Sequence, residues 1–206
     1  GFMFSYSPLD NRAVYNATLL GTKTLALIYK YTGNEEYMKA ARASAQAVCD
    51  EQNPDGSFPH SDQVRNQWRD NFHTGFKLES LAIFQQCCKD ESFNENIERG
   101  FNYWIENYFV PETGLAKYYD NSTENDTVDL HCVAQAIPTI YKLNKFNKER
   151  TALMNKCLEW AINNMQSKKG YFYFQKKGKS INKICYMRWP NAWMFYGMSY
   201  FIRNNI

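Results

Sequence analysis

Two of the chain's three histidines stand in matching company, in Asp70-Asn71-Phe72-His73 and Asp129-Leu130-His131. A carboxylate beside an imidazole can hold, release or relay a proton near neutral pH. The same residue types can bind a metal, since Asp70-x-x-His73 and Asp129-x-His131 together offer two imidazoles and carboxylates. Neither spacing is a zinc signature, and no metal is assigned. The plainer reading makes Asp10, Asp70 and Asp129 helix N-caps, the place where aspartate is favoured. Phosphate loops, nucleophile elbows and cysteine-protease patterns are absent from the sequence.

The two pairs belong to a repeat. Four segments align, beginning at Val14, Asn71, Asp129 and Met187, and they place Asn16, His73, His131 and Trp189 at one position, 57, 58 and 58 residues apart. Each opens a largely apolar run, as at 18–31 and 76–88, which suits an inner helix covered on most sides. Between these runs lie three amphipathic stretches. Tyr37, Ala41, Ala45 and Val48 form one stripe. Phe93, Ile97, Phe101, Trp104 and Tyr108 form the next, and Leu153, Cys157, Ala161 and Met165 the third. Ser92 with Glu95 reads as a capping box. Each outer helix runs into a glycine turn followed by aromatics, with Gly56, Gly114 and Gly170 spaced by 58 and 56 residues. Glycine there allows the positive φ that ends a helix.

The expectation is an all-α, (α/α) toroid-like repeat of helical hairpins with seven main helices, inner and outer in alternation. Residues 1–206 form one domain. A closed ring of six hairpins needs nearly twice as many helices. The chain is therefore expected to be the C-terminal part of a longer one, or to close the ring with a second copy. Pro138, deep in the third inner helix, should kink it. In such a ring the entries to the inner helices gather at one mouth. The site candidates are Asp10 and Asn16, Asp70, Asn71 and His73, Asp129 and His131, and Arg188, Trp189 and Asn191. Helix N-termini at that mouth favour a bound anion.

Composition narrows the classes. At 206 residues the chain buries a core without disulfides, and its six cysteines show no CxxC spacing, so a reducing, cytoplasmic compartment is expected. The net charge of +3 is dispersed and forms no phosphate-binding stripe, which argues against nucleic acid. The lysines of 168–183 read as a solvated hairpin. No apolar run reaches a membrane-spanning length of about 18 residues. Aromatics are abundant at 17%, which suits helical interfaces and also sugar-binding clefts.

The strings Tyr6-Ser-Pro-Leu-Asp10-Asn11, Tyr15-Asn16-Ala-Thr-Leu-Leu-Gly21, Asp70-Asn-Phe-His73-Thr-Gly75-Phe, Asp129-Leu-His131, Gly170-Tyr-Phe-Tyr and Met187-Arg188-Trp189 resemble a bacterial and archaeal family of polysaccharide-biosynthesis-associated toroid proteins. The resemblance covers nearly the whole chain. Members often carry the name delta-aminolevulinic acid dehydratase, an enzyme built as a TIM barrel with Schiff-base lysines. This sequence lacks the βα alternation of such a barrel. A more distant similarity runs to six-hairpin carbohydrate-active enzymes.

The resemblance implies a carbohydrate-active protein, without a cofactor, whose ligand is a surface polysaccharide or its precursor, with uronic acid among its sugars. Asp70 and Asp129 would be an acid/base pair for glycoside hydrolysis. In the competing chemistry, His73 and His131 would move a proton beside a uronate carboxylate that Arg188 neutralises, as a lyase or epimerase requires. Tyr6, Tyr119, Tyr171 and Trp189 would stack on sugar rings, with Asp10, Asn16 and Asn71 as further polar contacts. The alternative is a non-catalytic glycan-binding or scaffold module in a polysaccharide assembly complex.

Overall fold

The computed structural model describes residues 1–9, 11–63, 68–120, 126–143 and 150–205. Among them are seven α-helices: α1 (Tyr15–Thr32), α2 (Glu35–Cys49), α3 (Asn71–Cys88), α4 (Asn94–Tyr108), α5 (Leu130–Leu143), α6 (Arg150–Met165) and α7 (Ala192–Asn205). α1, α3, α5 and α7 are the four apolar runs of the repeat, and α2, α4 and α6 the three amphipathic ones. Strands are short. β1 (Phe109–Val110) pairs antiparallel with β2 (Leu115–Ala116), and β3 (Val128–Asp129), β4 (Gln175–Lys177) and β5 (Ser180–Asn182) form an antiparallel sheet in that order. A π-helical segment, Met187–Asn191, leads into α7. No helix among the described residues is long and apolar enough to cross a membrane.

The chain forms two compact units. The first comprises Gly1–Arg69 and Phe76–Trp104. Here α1 packs on α2, and a buried Thr22–Ser44 hydroxyl pair at 2.7 Å joins them. The stripes predicted from the sequence supply its core: Ala41, Ala45 and Val48 from α2, with Ile97, Phe101 and Trp104 from α4, are all buried. Gly33, at φ 68°, stops α1 by turning its N–H back to the Tyr29 carbonyl, and Asn34 then caps α2 by accepting the Glu36 N–H at 3.0 Å. The capping box expected at Ser92 does not form. The Ser92 N–H and hydroxyl both go to Asp90 Oδ1, at 2.9 and 2.6 Å, and α4 begins two residues later. An aspartate two residues upstream is a stronger acceptor than a glutamate reaching back from the first turn.

The second unit comprises Asp70–Gly75 and Ile105–Ile206. α5 packs against both α6 and α7 and is buried along most of its length. Pro138 lies inside α5, so the Ala134 carbonyl four residues earlier receives no helical N–H. Gly197 of α7 occupies that position, and a Cβ there would come within 2.9 Å of the Ala134 oxygen. Proline and glycine thus work as a pair that brings two inner helices together. Thr139, one residue on, lies 3.1 Å from the Gly75 carbonyl and so fixes the start of α3 against α5.

The glycine turns adopt the backbone that the sequence requires, with φ of 90° at Gly56, 74° at Gly114 and 90° at Gly170. They differ in what they touch. A Cβ on Gly56 would meet the Arg99 carbonyl at 2.5 Å, and one on Gly114 the Lys156 carbonyl at 2.4 Å, whereas Gly170 has nothing within 4 Å. The first two turns are therefore docked on the following outer helix. Gly170→Ala should cost about 1 kcal/mol from the left-handed backbone alone, and Gly114→Ala about 2–4 kcal/mol because backbone must also move. Urea unfolding of the two variants checks this, and equal losses would show that the close approach is unimportant.

Candidate functional site

The two aspartates are each the last extended residue before an inner helix. Asp70 forms an antiparallel bridge with Tyr119, and α3 begins at the next residue. Asp129 ends β3, opposite Gln175 of β4, and α5 begins at the next residue. Backbone hydrogen bonds link these places side by side. The Asn71 N–H donates to Tyr118 O and the Tyr118 N–H to Thr127 O, both at 2.8 Å. Segments 70–71, 118–119, 127–129 and 175–177 thus form one narrow ribbon, from whose edge α3 and α5 depart.

Each aspartate then does two jobs. Asp70 Oδ1 accepts the His73 N–H at 2.8 Å, which caps α3, and Oδ2 lies 2.7 Å from His73 Nδ1. Asp129 Oδ1 accepts the His131 N–H at 2.9 Å, which caps α5, and lies 2.6 Å from His131 Nδ1. Gln175 Nε2 donates to the remaining oxygen, Asp129 Oδ2, at 3.2 Å. Both carboxylates are buried, with Asp70 only 1% and Asp129 4% exposed. Their histidines reach further out, with side-chain exposures of 24% and 14%. A carboxylate at Nδ1 favours the tautomer with its proton there.

Phe72 packs edge to face on both imidazoles, 5.2 Å from the His73 ring and 5.4 Å from the His131 ring. Trp193 of α7 lies 5.1 Å from Phe72 and 6.1 Å from His131, and Trp189 lies 6.3 Å from His131. Trp189 in turn stacks on Phe174 at 5.7 Å and meets Tyr186 at 5.4 Å. The result is an aromatic wall running from the two dyads to a cavity of about 320 Å³ lined by Tyr186, Met187, Arg188 and Trp189.

Asp70 and Asp129 act on the same neighbours. Burial, followed by the charge of Asp70, of the Cys132 thiol position and of Asp129, pushes the Tyr118 phenol far above its ordinary range. Burial and then Asp129 and Asp70 do the same to the Cys132 thiol. Both side chains feel both carboxylates, and both keep their protons. Tyr118 is thus a donor at any physiological pH, and Cys132 is no nucleophile.

The other residues singled out in the sequence have different surroundings. Asn71 is buried, and its amide donates to the Lys117 carbonyl at 2.9 Å, which helps to hold the ribbon. Tyr119 packs edge to face on Tyr118 at 4.7 Å, beside Asp70. Tyr171 follows the Gly170 turn and touches Tyr173 at 5.9 Å. Asn191 clamps the π-helical segment, accepting the Phe172 N–H at 2.7 Å and donating to Tyr186 O at 3.1 Å. Tyr6 and Asn16 belong to the first unit, where Tyr6 is exposed under the Arg12 guanidinium and Asn16 opens α1. Asp10 lies outside the described residues. Sequence reasoning missed Phe72, Tyr118, Gln175 and Trp193. Phe72 lies within an aligned helix entry and Trp193 one residue past another, so both were legible in principle. Gln175 depended on a strand pairing that two or three residues do not announce.

No family model matches the chain, and no curated protein matches it. Solved structures do. A cellobiose 2-epimerase from Bacillus thermoamylovorans superposes with a TM-score of 0.75 at 14% identity, over 86% of this chain and 52% of that one. A D-mannose isomerase gives 0.72 at 14%, over 94% and 56%. A family 76 glycoside hydrolase from a bovine Bacteroides thetaiotaomicron strain gives 0.74 at 11%, over 93% and 44%. The chain thus spans about half the length of the structures it matches. At these identities the likeness shows the fold, which is the all-α, (α/α) toroid-like class expected from the repeat.

Nitrogen NMR tests the dyads directly. Neutral His73 and His131 should both carry their proton on Nδ1, and Asp70→Asn should disturb the pattern at His73 while leaving His131 unchanged. Protonation on Nε2 in the unaltered protein would contradict the geometry.

Proposed function

We propose that the chain carries the proton-transfer site of a carbohydrate-active enzyme, one that epimerises, isomerises or eliminates at a sugar carbon. The observation behind this is that both carboxylates are spent. Asp70 and Asp129 are buried and already bonded to backbone and imidazole, so neither is placed to flank a glycosidic bond. The groups facing outward are two imidazoles, which suits moving a proton better than cleaving a glycoside.

The chemistry needs a base and an acid. One Nε2 takes the proton from the carbon beside a carbonyl or carboxyl group, and the electron pair passes to that group's oxygen. The other imidazole, protonated, delivers a proton to the opposite face or to the departing oxygen. The buried aspartates stabilise whichever ring is charged. Tyr118, which retains its proton, supplies a hydrogen bond to the developing oxyanion. Trp189, Tyr119 and Tyr171 offer ring faces to pyranose C–H groups. The solved structures named for a cellobiose 2-epimerase and a D-mannose isomerase support the carbohydrate-active part of this reading.

The natural ligand we infer is a surface polysaccharide or its precursor with acid-bearing residues. Six free cysteines fit a reducing compartment, and the cytoplasm is the proposed setting. Ring closure by a second copy or by further chain is part of the same proposal.

Deuterium exchange tests it. Incubation with hexoses, disaccharides and uronic acids in heavy water should place deuterium at a carbon next to a carbonyl or carboxyl group, in the presence of EDTA as well as without it. His73→Ala and His131→Ala should each lower the rate at least about a hundredfold. Sugar binding without exchange would favour the scaffold reading, and hydrolysis that survives both histidine substitutions would sink this one.

A further inference from the structure

The two dyads are alike in their parts and unlike in how their carboxylates are held. At Asp70 the work is divided. Oδ1 accepts the His73 N–H and Oδ2 meets the His73 Nδ1, so contacts from the first turn of α3 occupy both oxygens. At Asp129 a single oxygen does both. Oδ1 accepts the His131 N–H at 2.9 Å and meets its Nδ1 at 2.6 Å, and neither contact reaches Oδ2. Contacts on one oxygen restrain the tilt of a carboxylate less than contacts on both. The tilt of Asp129 therefore depends on what holds Oδ2. Among the described residues that partner is Gln175, whose Nε2 donates at 3.2 Å.

Strand pairing places Gln175 for this task. It stands directly opposite Asp129 in the ladder of β3 and β4, where opposed side chains meet. Its own position is fixed from the other side. Gln175 pairs with Asn182 of β5, and the Phe174 N–H donates to the Asn182 carbonyl at 3.0 Å. The Phe174 ring stacks on Trp189, which lies 6.3 Å from the His131 ring. Consecutive residues thus reach the His131 dyad by two routes, Phe174 through the aromatic wall and Gln175 through the carboxylate.

The repeat marks this position as a point of difference between the dyads. Tyr119 and Gln175 each follow the glycine of their turn by five residues, and each is bridged to the aspartate of a helix entry, Tyr119 to Asp70 and Gln175 to Asp129. In one case the side chain is a phenol ring packed on Tyr118, and in the other an amide bonded to the carboxylate. An amide that holds a carboxylate that holds an imidazole sets the direction of the ring without touching the ligand.

We propose that Gln175 is a positioning residue for His131: by holding Asp129 Oδ2 it sets the tilt of the carboxylate and, through the 2.6 Å contact, the orientation of the imidazole. His73 has no such requirement, because its aspartate is held on both oxygens from its own helix. The inference rests on the proton-transfer reading above and deepens it by making the two histidines unequal. One is oriented within its helix, the other by a strand 46 residues further along the chain.

Gln175→Met nearly keeps the length of the side chain and removes the donor. Nitrogen NMR of this variant should show the His131 Nδ1 signal shifted or broadened and the His73 signal unchanged. Deuterium exchange is measured with whichever hexose, disaccharide or uronic acid the unaltered protein labels fastest. Its kcat should fall about ten- to a hundredfold while KM changes by less than about threefold, because Gln175 acts on the ring and not on the ligand. Gln175→Glu, equally long and polar but without a donor when ionised, should give the same two results and serves where Gln175→Met does not fold. An unchanged His131 signal, equal changes at both histidines, or a raised KM with kcat intact would overturn the positioning role. Exchange undiminished by either substitution would overturn it as well and leave the proton-transfer reading standing. A change confined to His131, in a protein that labels none of the sugars, would keep the positioning role and reject the proton-transfer reading.

Discussion

A buried aspartate at the start of an inner helix is the interaction on which the rest depends. One carboxylate accepts the backbone N–H that opens the helix and the Nδ1 proton of a histidine two or three residues on. Removing it from water would be costly without those partners. With them, the charge sits beside the positive end of the helix dipole, where it is favoured. Helix initiation and imidazole orientation are therefore one event at Asp70 and again at Asp129. A fold that lost either cap would also lose the direction of its histidine.

The repeat supplies two such events, and the ribbon sets them next to each other. It is narrow, two or three residues in each segment, yet it brings together residues far apart in the chain because every strand in it leads to or from a repeat unit. The pairing of Pro138 with Gly197 and the contact from Thr139 to Gly75 fix the same helices from behind. Phe72 then packs on both imidazoles, and the tryptophans of the last repeat lie beside it and His131. Helix capping and imidazole orientation draw on the same contacts, so substitutions in this region should seldom affect one alone.

Much of this was legible in the sequence, and the reason is periodicity. Four apolar runs and three amphipathic ones recur near one spacing, which placed all seven helices, and the glycine turns were readable because only glycine adopts their backbone at little cost. The aligned histidines pointed to the dyads. The sequence left open whether Asp70 and Asp129 are caps; in the structure each caps its helix and also meets an imidazole. Less legible was whatever depends on short extended pairing. Gln175 reaches Asp129 through a three-residue strand, and the Tyr118 phenol is pushed up by burial first and then by Asp70 and Asp129 from other segments. Ser92 misled because the capping pattern ignored Asp90, a better-placed acceptor.

The account stands or falls on what the two Nε2 atoms face. A crystal structure of the chain with an alditol, an open-chain sugar analogue that cannot react, would show it. We expect the alditol between His73 and His131, with both Nε2 atoms within hydrogen-bonding distance of adjacent hydroxyls and with Asp70 and Asp129 still bound to their imidazoles. An alditol held by either carboxylate directly, or seated away from both histidines, would contradict the account.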